Sequence, residues 1–437
     1  EVDADDFSDL GDADFTAVAV YSDMKQTGFF DSSNSLLNRF VENTIWSAKS
    51  NFLDIPTDCP TRERHGWTGD AQIFFDTASW IFDCAAFSRK YVQDMFDWQR
   101  KDGCLPQIVP EGGVDPYMYT MNGSVGWADA GVLIPYRFWK HYGDSSILKK
   151  YYKGMKKYAW FMMKRCGKHT ILSKPLRIPQ AYRKYTVNVG QSYGEWAEPE
   201  DVHPNKWTDM ILPHPEVSTA YTCFVMEHMA EIAAELGEKK DAAVYREYAD
   251  QVCRAYQEIR KLPEFTLDTD RQAMLVRPLY MNLLDKNERK YAQKRLVKAL
   301  EHYDWRLGTG FLSTPLILDV LSEINIEYAY RLLENEEMPG WLFMPKHGAS
   351  TVWESWEGTE AQNGIASLNH YSKGAVCAWL FETMCGIRID GENLFRICPK
   401  PGGKFAYAGA SYDSVYGKVS CRWEKNDKGV KYTVEIP

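Results

Sequence analysis

The feature that most limits the fold is a long succession of helix-length apolar periodicities that arrive in pairs. Leu36, Leu37, Phe40, Val41, Ile45 and Trp46 fall at helical spacing and predict a helix over 34–48. The same reading predicts a buried helix over 70–87, apolar on most sides, and another over 88–100. Further helices are expected from Gly126 towards His141, and from Asp144, as a cap, to about Gly167. Pairs then follow over 218–236 and 239–259, 271–284 and 288–302, and 315–321 and 326–333, with a last helix over 370–384. Alternate loops carry acids, glycines and tryptophans. Some ten to twelve paired helices with functional loops at one end suit a closed toroid of helical hairpins, an (α/α)6 barrel. A helical solenoid would need a fixed-period repeat, and the sequence has none.

The two ends differ in character. Residues 15–21 alternate and are rich in β-formers, which predicts a strand, with a turn at 28–31. Beyond Asn393 polar and apolar residues alternate between glycine-rich turns, which predicts β-structure. The expected organisation is a remnant of an N-terminal β domain over 1–25, an (α/α)6 catalytic domain over 26–387, and a β-sandwich-like domain over 388–437. Both β segments are short, so a piece of a longer protein is expected.

Composition excludes several classes. The net charge of −9 disfavours a partner with a phosphate backbone, so no nucleic acid is expected. No apolar run reaches the roughly 20 residues of a membrane helix. None of the ten cysteines forms a Cys-x-x-Cys pair, so neither a zinc site nor any other metal or cofactor is expected. Many of them sit in apolar helical stretches such as those of Cys84, Cys223 and Cys377, which leans towards reduced core residues and the cytoplasm. A secreted or periplasmic parent, or a homo-oligomer, is compatible with everything in the sequence.

Residues 54–76 break the helical pattern. Asp58, Glu63 and Asp70 lie close together with Arg62 and Arg64, and Pro60, Gly66 and Gly69 interrupt any period. The segment has no apolar face to bury, so it is a loop, and a loop on a rigid scaffold is where function concentrates. A solvated charged loop is the bland alternative. Trp67 among the charges argues for a sugar pocket, which needs a flat apolar face for the ring and polar groups for the hydroxyls.

Glycoside hydrolysis needs two carboxyl groups flanking the anomeric carbon. Glu63 is the candidate acid. Asp58 and Asp70 would raise its pKa, whereas Arg62 and Arg64 would lower it, unless Arg62 pairs with Asp58 and holds a substrate hydroxyl. Glu354, between Trp353 and Trp356, is the second carboxylate candidate. Its bland reading is the solvent side of a helix whose apolar face is the two tryptophans. His370, within Ser367, Leu368, Asn369, His370 and Tyr371, is either a sugar contact or a structural histidine.

The run from Asp58 through Arg62, Glu63, Gly66, Trp67 and Gly69 to Asp70 resembles bacterial α-L-rhamnosidases, the family 78 glycoside hydrolases. The segments Gly126–Asp129, Gly308–Leu312, Gly348–Glu354 and Ser367–Tyr371 resemble them too, in order along nearly the whole chain. The resemblance implies an (α/α)6 catalytic domain between β-sandwich domains and an inverting mechanism. It implies Glu63 as the general acid, Glu354 as the base, and Asp58, Arg62, Trp67, Asp70, Trp127 and His370 as sugar contacts. Trp196 matches a further tryptophan of the family's Gly-Asp-Trp segment, with Glu195 in place of the acid. Many members have one more residue between the arginine and the acid than Arg62 and Glu63 leave here.

The expected substrate is therefore a rhamnose-containing oligosaccharide or glycoside, cleaved at its terminal α-L-rhamnosyl group. The alternatives are another (α/α)6 glycosidase, a uronate lyase, or a non-catalytic carbohydrate-binding homologue. An inverting pair should stand roughly 6.5–9.5 Å apart, and Trp67 and Trp127 should line the pocket between the two glutamates.

Overall fold

The computed structural model describes residues 11, 15–16, 18–112, 119–171, 173–204 and 206–437. Part of the expected N-terminal remnant and the centre of the loop over 103–122 lie outside them.

Helix α1 (Ser35–Asn51) starts where Asn34 accepts a hydrogen bond from the Leu37 amide. A small hairpin, β2 (Phe52–Leu53) and β3 (Ile55–Pro56), leads into the charged loop. Five hairpins follow in chain order: α2 (Thr68–Ile81) with α3 (Ala85–Asp97), α4 (Ala130–Tyr142) with α5 (Ser146–Arg165), α6 (Pro215–Glu235) with α7 (Lys239–Ile259), α8 (Ala273–Tyr280) with α9 (Lys286–His302), and α10 (Ile317–Ile324) with α11 (Ile326–Leu333). The last helical run, α12, joins a 3-10 segment (Ser372–Val376), a short α segment (Cys377–Trp379) and a π segment (Leu380–Met384). It packs against α1, which completes the sixth pair from the two ends of the chain.

The first partner of each hairpin faces the barrel axis. In α2 every residue except Asp76 is buried, and α2 touches both α4 and α12, closing the ring. Its residues supply both halves of the core: Phe74 and Ala78 join one cluster, Ala71, Ile73 and Phe75 the other. Outer helices bury one stripe only, as with Tyr245, Ala249, Val252, Tyr256 and Ile259 of α7. The (α/α)6 reading stands.

Several local expectations give way. The described residues of 15–21 form no strand; Val18 and Val20 are exposed and make no ladder. The N-terminal strand is β1 (Gly28–Ser32), where a turn was expected, because its backbone pairs with β6 (Tyr407–Ser414), Gly28 opposite Tyr412. The helix expected over 70–87 ends at Ile81, and the one expected over 88–100 begins three residues early, at Ala85. The long-range amide contact from Asp83 to the Lys25 carbonyl, at 2.9 Å, turns the chain there. The helix expected over 271–284 shrinks to α8, which contains Pro278.

The C-terminal strands begin at β4 (Ile387–Gly391), paired with β5 (Leu394–Ile397). The four-stranded antiparallel sheet runs β1, β6, β7 (Gly417–Asn426), β8 (Gly429–Glu435). The N-terminal strand is thus part of the C-terminal sheet. Trp423 anchors that sheet to the barrel, its indole donating to the Met384 carbonyl at 2.9 Å.

Candidate active site

The loops that precede the inner helices converge at one end of the barrel, around a cavity of about 210 Å³. Asp58, Glu63, Trp67 and Asp70 reach it from the loop and first turn of α2, and Trp127 from just before α4. Trp196 comes from the long loop before α6, and Glu354 and His370 from the segment before α12. Eight of the nine residues singled out in the sequence line this one cavity. Arg62 stands behind it, joining the two glutamates.

The charged loop is closed on itself. The Asp58 amide donates to the His65 carbonyl at 2.9 Å, and the His65 amide to Asp58 Oδ1 at 2.8 Å. Closure puts Arg64 in the left-handed region, at φ 56°. Asp58 Oδ2 is buried and has no hydrogen-bond partner among the described residues. A buried carboxylate oxygen left open at a cavity wall is free to accept from a ligand hydroxyl.

Glu63 accepts from two donors, Arg62 Nη2 at 2.6 Å and the Trp67 indole at 2.8 Å. Burial and the Asp58 carboxylate nevertheless push its carboxyl up to about 7, against the pull of Arg62 and of the Trp67 N–H. The sign left open by the sequence is therefore upward. Arg62 does not pair with Asp58, contrary to one reading of the sequence. Its Nη2 also donates to Glu354 Oε2 at 2.9 Å and its Nη1 to the Ile365 carbonyl at 2.9 Å.

Glu354 is buried and lies on no helix, so its bland reading falls. Its amide donates to the Ser367 carbonyl at 2.9 Å and its Oε2 accepts from the Ser367 amide at 2.8 Å. The His370 amide donates to the Val352 carbonyl at 2.7 Å. This ladder holds Glu354 and His370 on the same side of the cavity. His370 Nε2 meets Asp70 Oδ1 at 2.9 Å. Burial raises the Asp70 carboxyl against its bond to His370; burial also works against the His370 imidazolium, but Asp70 outweighs it and the imidazole pKa is raised.

One oxygen of each glutamate touches the same nitrogen. The two oxygens that share Nη2 thus lie no more than the two bond lengths apart, about 5.5 Å, one on each side of the guanidinium nitrogen. The Arg62 guanidinium occupies the space between the carboxylates.

The cavity also has an aromatic wall. Trp127 and Trp67 both pack on Tyr193, with ring centroids 4.6 and 5.5 Å apart. Gly69 makes room for this: a Cβ there would sit 2.5 Å from the Trp127 indole. Tyr193, Phe311, Met121 and Met210 complete the lining and were not singled out in the sequence. Phe311 follows the Gly308-Thr309-Gly310 segment and Tyr193 stands three residues before Trp196, so both had a local signal. The methionines had none. Glu195, in the segment of Trp196, turns away from the cavity and pairs with Arg277 and the Ser313 hydroxyl.

Residues 25–384 match the bacterial alpha-L-rhamnosidase 6 hairpin glycosidase domain, and residues 391–437 match the bacterial alpha-L-rhamnosidase C-terminal domain. An alpha-L-rhamnosidase of Streptomyces avermitilis is 33% identical over 418 residues, which are 93% of this chain and 37% of that protein. One of Formosa agariphila is 31% identical over 96% of this chain and 44% of its own length. The crystal structure of the S. avermitilis enzyme complexed with L-rhamnose superposes with a TM-score of 0.82 at 31% identity, over 95% of this chain and 38% of that one. The native enzyme of Aspergillus terreus gives 0.83 at 28% identity, over 96% of this chain and 48% of that one. The chain spans less than half the length of these relatives.

Proposed function

The chain belongs to the bacterial α-L-rhamnosidase family, and on that premise we propose that it is an inverting exo-glycosidase. It removes terminal α-L-rhamnosyl groups from glycans or plant glycosides. The observation that carries this is the pairing of Glu63 and Glu354 at one cavity, with the Glu63 carboxyl raised to about 7. A carboxyl that keeps its proton near neutrality is what a general acid requires. Glu63 gives that proton to the glycosidic oxygen as the bond to the anomeric carbon breaks. Glu354 takes a proton from the water that attacks the opposite face.

The cavity is smaller than the roughly 300–1,000 Å³ of drug-sized sites, which suits a single sugar ring and hence cleavage at a chain end. The Trp67, Trp127 and Tyr193 wall takes the apolar ring face and methyl group of a 6-deoxy sugar. Asp58, through its open oxygen, and the Asp70–His370 pair take hydroxyls. Arg62 must leave its place between the glutamates for a water to enter, and a bound ring provides its replacement partners.

A retaining reaction would instead need the two carboxyl groups roughly 5–5.5 Å apart, with Glu354 as the nucleophile. The experiment is hydrolysis of an aryl α-L-rhamnoside followed by NMR before mutarotation. Release of β-L-rhamnose first supports inversion. Release of the α-anomer first refutes the base role of Glu354, and no hydrolysis at all refutes the function.

A further inference from the structure

Tyr193 reaches the cavity from the long loop before α6, and three tryptophans of the site meet it there. Its ring centroid stands 4.6 Å from that of Trp127, 5.5 Å from that of Trp67 and 6.3 Å from that of Trp196. The contact with Trp67 is edge to face, with 83° between the planes. Aromatic quadrupoles favour that arrangement over a flat stack.

Tyr193 is tied to the segments that carry two of those tryptophans. Ser192, just before it, forms a parallel bridge with Val125, two residues before Trp127. Gly194, just after it, takes φ 60°, which favours glycine, and its amide donates to the Ser192 hydroxyl at 3.2 Å. The Tyr193 hydroxyl donates to Gln107 Oε1 at 3.0 Å. Gln107 is buried, and its carbonyl accepts from the Thr68 amide at 2.9 Å and the Thr68 hydroxyl at 3.1 Å. Thr68 follows Trp67. Gln107 thus fixes both the tip of the Tyr193 ring and the backbone next to Trp67.

The Trp67 indole does more than line the wall, because its N–H donates to Glu63 Oε2 at 2.8 Å. The outer side-chain torsion of tryptophan is broad, so one hydrogen bond at the ring edge leaves the plane free to swing. Tyr193, packed across that plane, fills space into which the indole would turn. We propose that Tyr193 is a positioning residue for the general acid: its ring holds the Trp67 indole in the plane that aims the N–H at Glu63. This rests on the glycosidase reading above. It adds to that reading a link from the long loop before α6 to the proton donor.

The test is kcat/KM against pH on an alkyl α-L-rhamnoside for the 437-residue chain and its variants, with Tm measured for each. The variants are Tyr193→Leu, Tyr193→Met, Tyr193→Phe, Trp67→Phe and the double variant Trp67→Phe/Tyr193→Leu. The first two remove the ring and free the indole. Glu63, whose carboxyl stands at about 7, then loses a donor that favours its charged form. Glu63 acts protonated, so the basic limb should move up by about 0.5–1 pH unit, as far as for Trp67→Phe. KM should rise too, because the wall loses a ring, but a change in the wall alone does not move the limb. Tyr193→Phe keeps the ring and should hold the limb where the unaltered chain has it. In the double variant the limb should stand where Trp67→Phe alone puts it, since no indole is left to position. An unmoved limb in the first two variants, when folded, overturns the proposal. So does a shift in Tyr193→Phe as large as theirs, or a double variant in which the two shifts add. Failure of the first two to fold makes Tyr193 a structural residue and overturns it as well. If the unaltered chain hydrolyses neither alkyl nor aryl rhamnosides, it is the glycosidase reading that has failed instead.

Discussion

Replacing Trp67 by Phe keeps a ring against Tyr193 but removes the indole N–H that Glu63 accepts at 2.8 Å. That donor favours the charged carboxylate, so its loss should raise the Glu63 pKa above about 7. A hydrogen bond to a charged group contributes about 1.5–3 kcal/mol. The Glu63 side chain is 34% exposed, so water replaces part of it and roughly half that value remains. At 1.36 kcal/mol per unit this is an upward shift of about 0.5–1 pH unit. The acid works protonated, so activity is lost as pH rises through its pKa, and the basic limb of kcat/KM should move towards pH 8. At pH 8 the protonated fraction should grow from roughly a tenth to between a quarter and a half. The assay is kcat/KM against pH for Trp67→Phe on an alkyl rhamnoside, whose poor leaving group makes proton donation limiting. A basic limb that stays in place or moves down would refute the account of how Glu63 holds its proton.

The two glutamates should fail differently. Glu63→Gln should cost about 10²–10⁴-fold on an alkyl rhamnoside and far less on an aryl rhamnoside with a good leaving group, whereas Glu354→Gln should slow both alike. Measuring kcat/KM for both variants on both substrates checks this, and equal losses for Glu63→Gln remove it as the acid. Arg277 joins Glu195 and Glu216 in a buried triad, with its side chain 2% exposed. Arg277→Met leaves two carboxylates buried without their cation and should destabilise the chain by about 3–5 kcal/mol, read from urea midpoints. A change below about 1 kcal/mol would mean that the acids protonate at little cost.

Much of this protein is set by local chemistry. Apolar residues at helical spacing fix which segments are helices, since a one-sided or all-round apolar surface must be buried. The match over 239–259 and 326–333 is to the residue because those helices end on local signals, the Gly237 turn before α7 and the Asn325 cap before α11. The cavity residues were legible for a related reason. Acids and tryptophans clustered where the apolar period breaks marked the segments of Glu63, Trp67 and Glu354, whereas Asp70, read as part of the same loop, lies in the first turn of the buried helix α2.

Tertiary structure decided what depends on partners distant in sequence. Residues 28–32 become a strand only because β6, nearly four hundred residues later, offers a free ladder, while the better β-formers at 18–20 have none. The direction of the Glu63 pKa depended on whether burial and Asp58 outweigh Arg62. That is a matter of side-chain direction over a few ångströms, and no spacing encodes it. Arg62 reached across 292 positions to Glu354 instead of turning to Asp58. Lys373 is an ordinary lysine in the sequence. It becomes a buried cation because the ring closes α12 against α2 and brings Trp356, Phe311 and Ala197 around it.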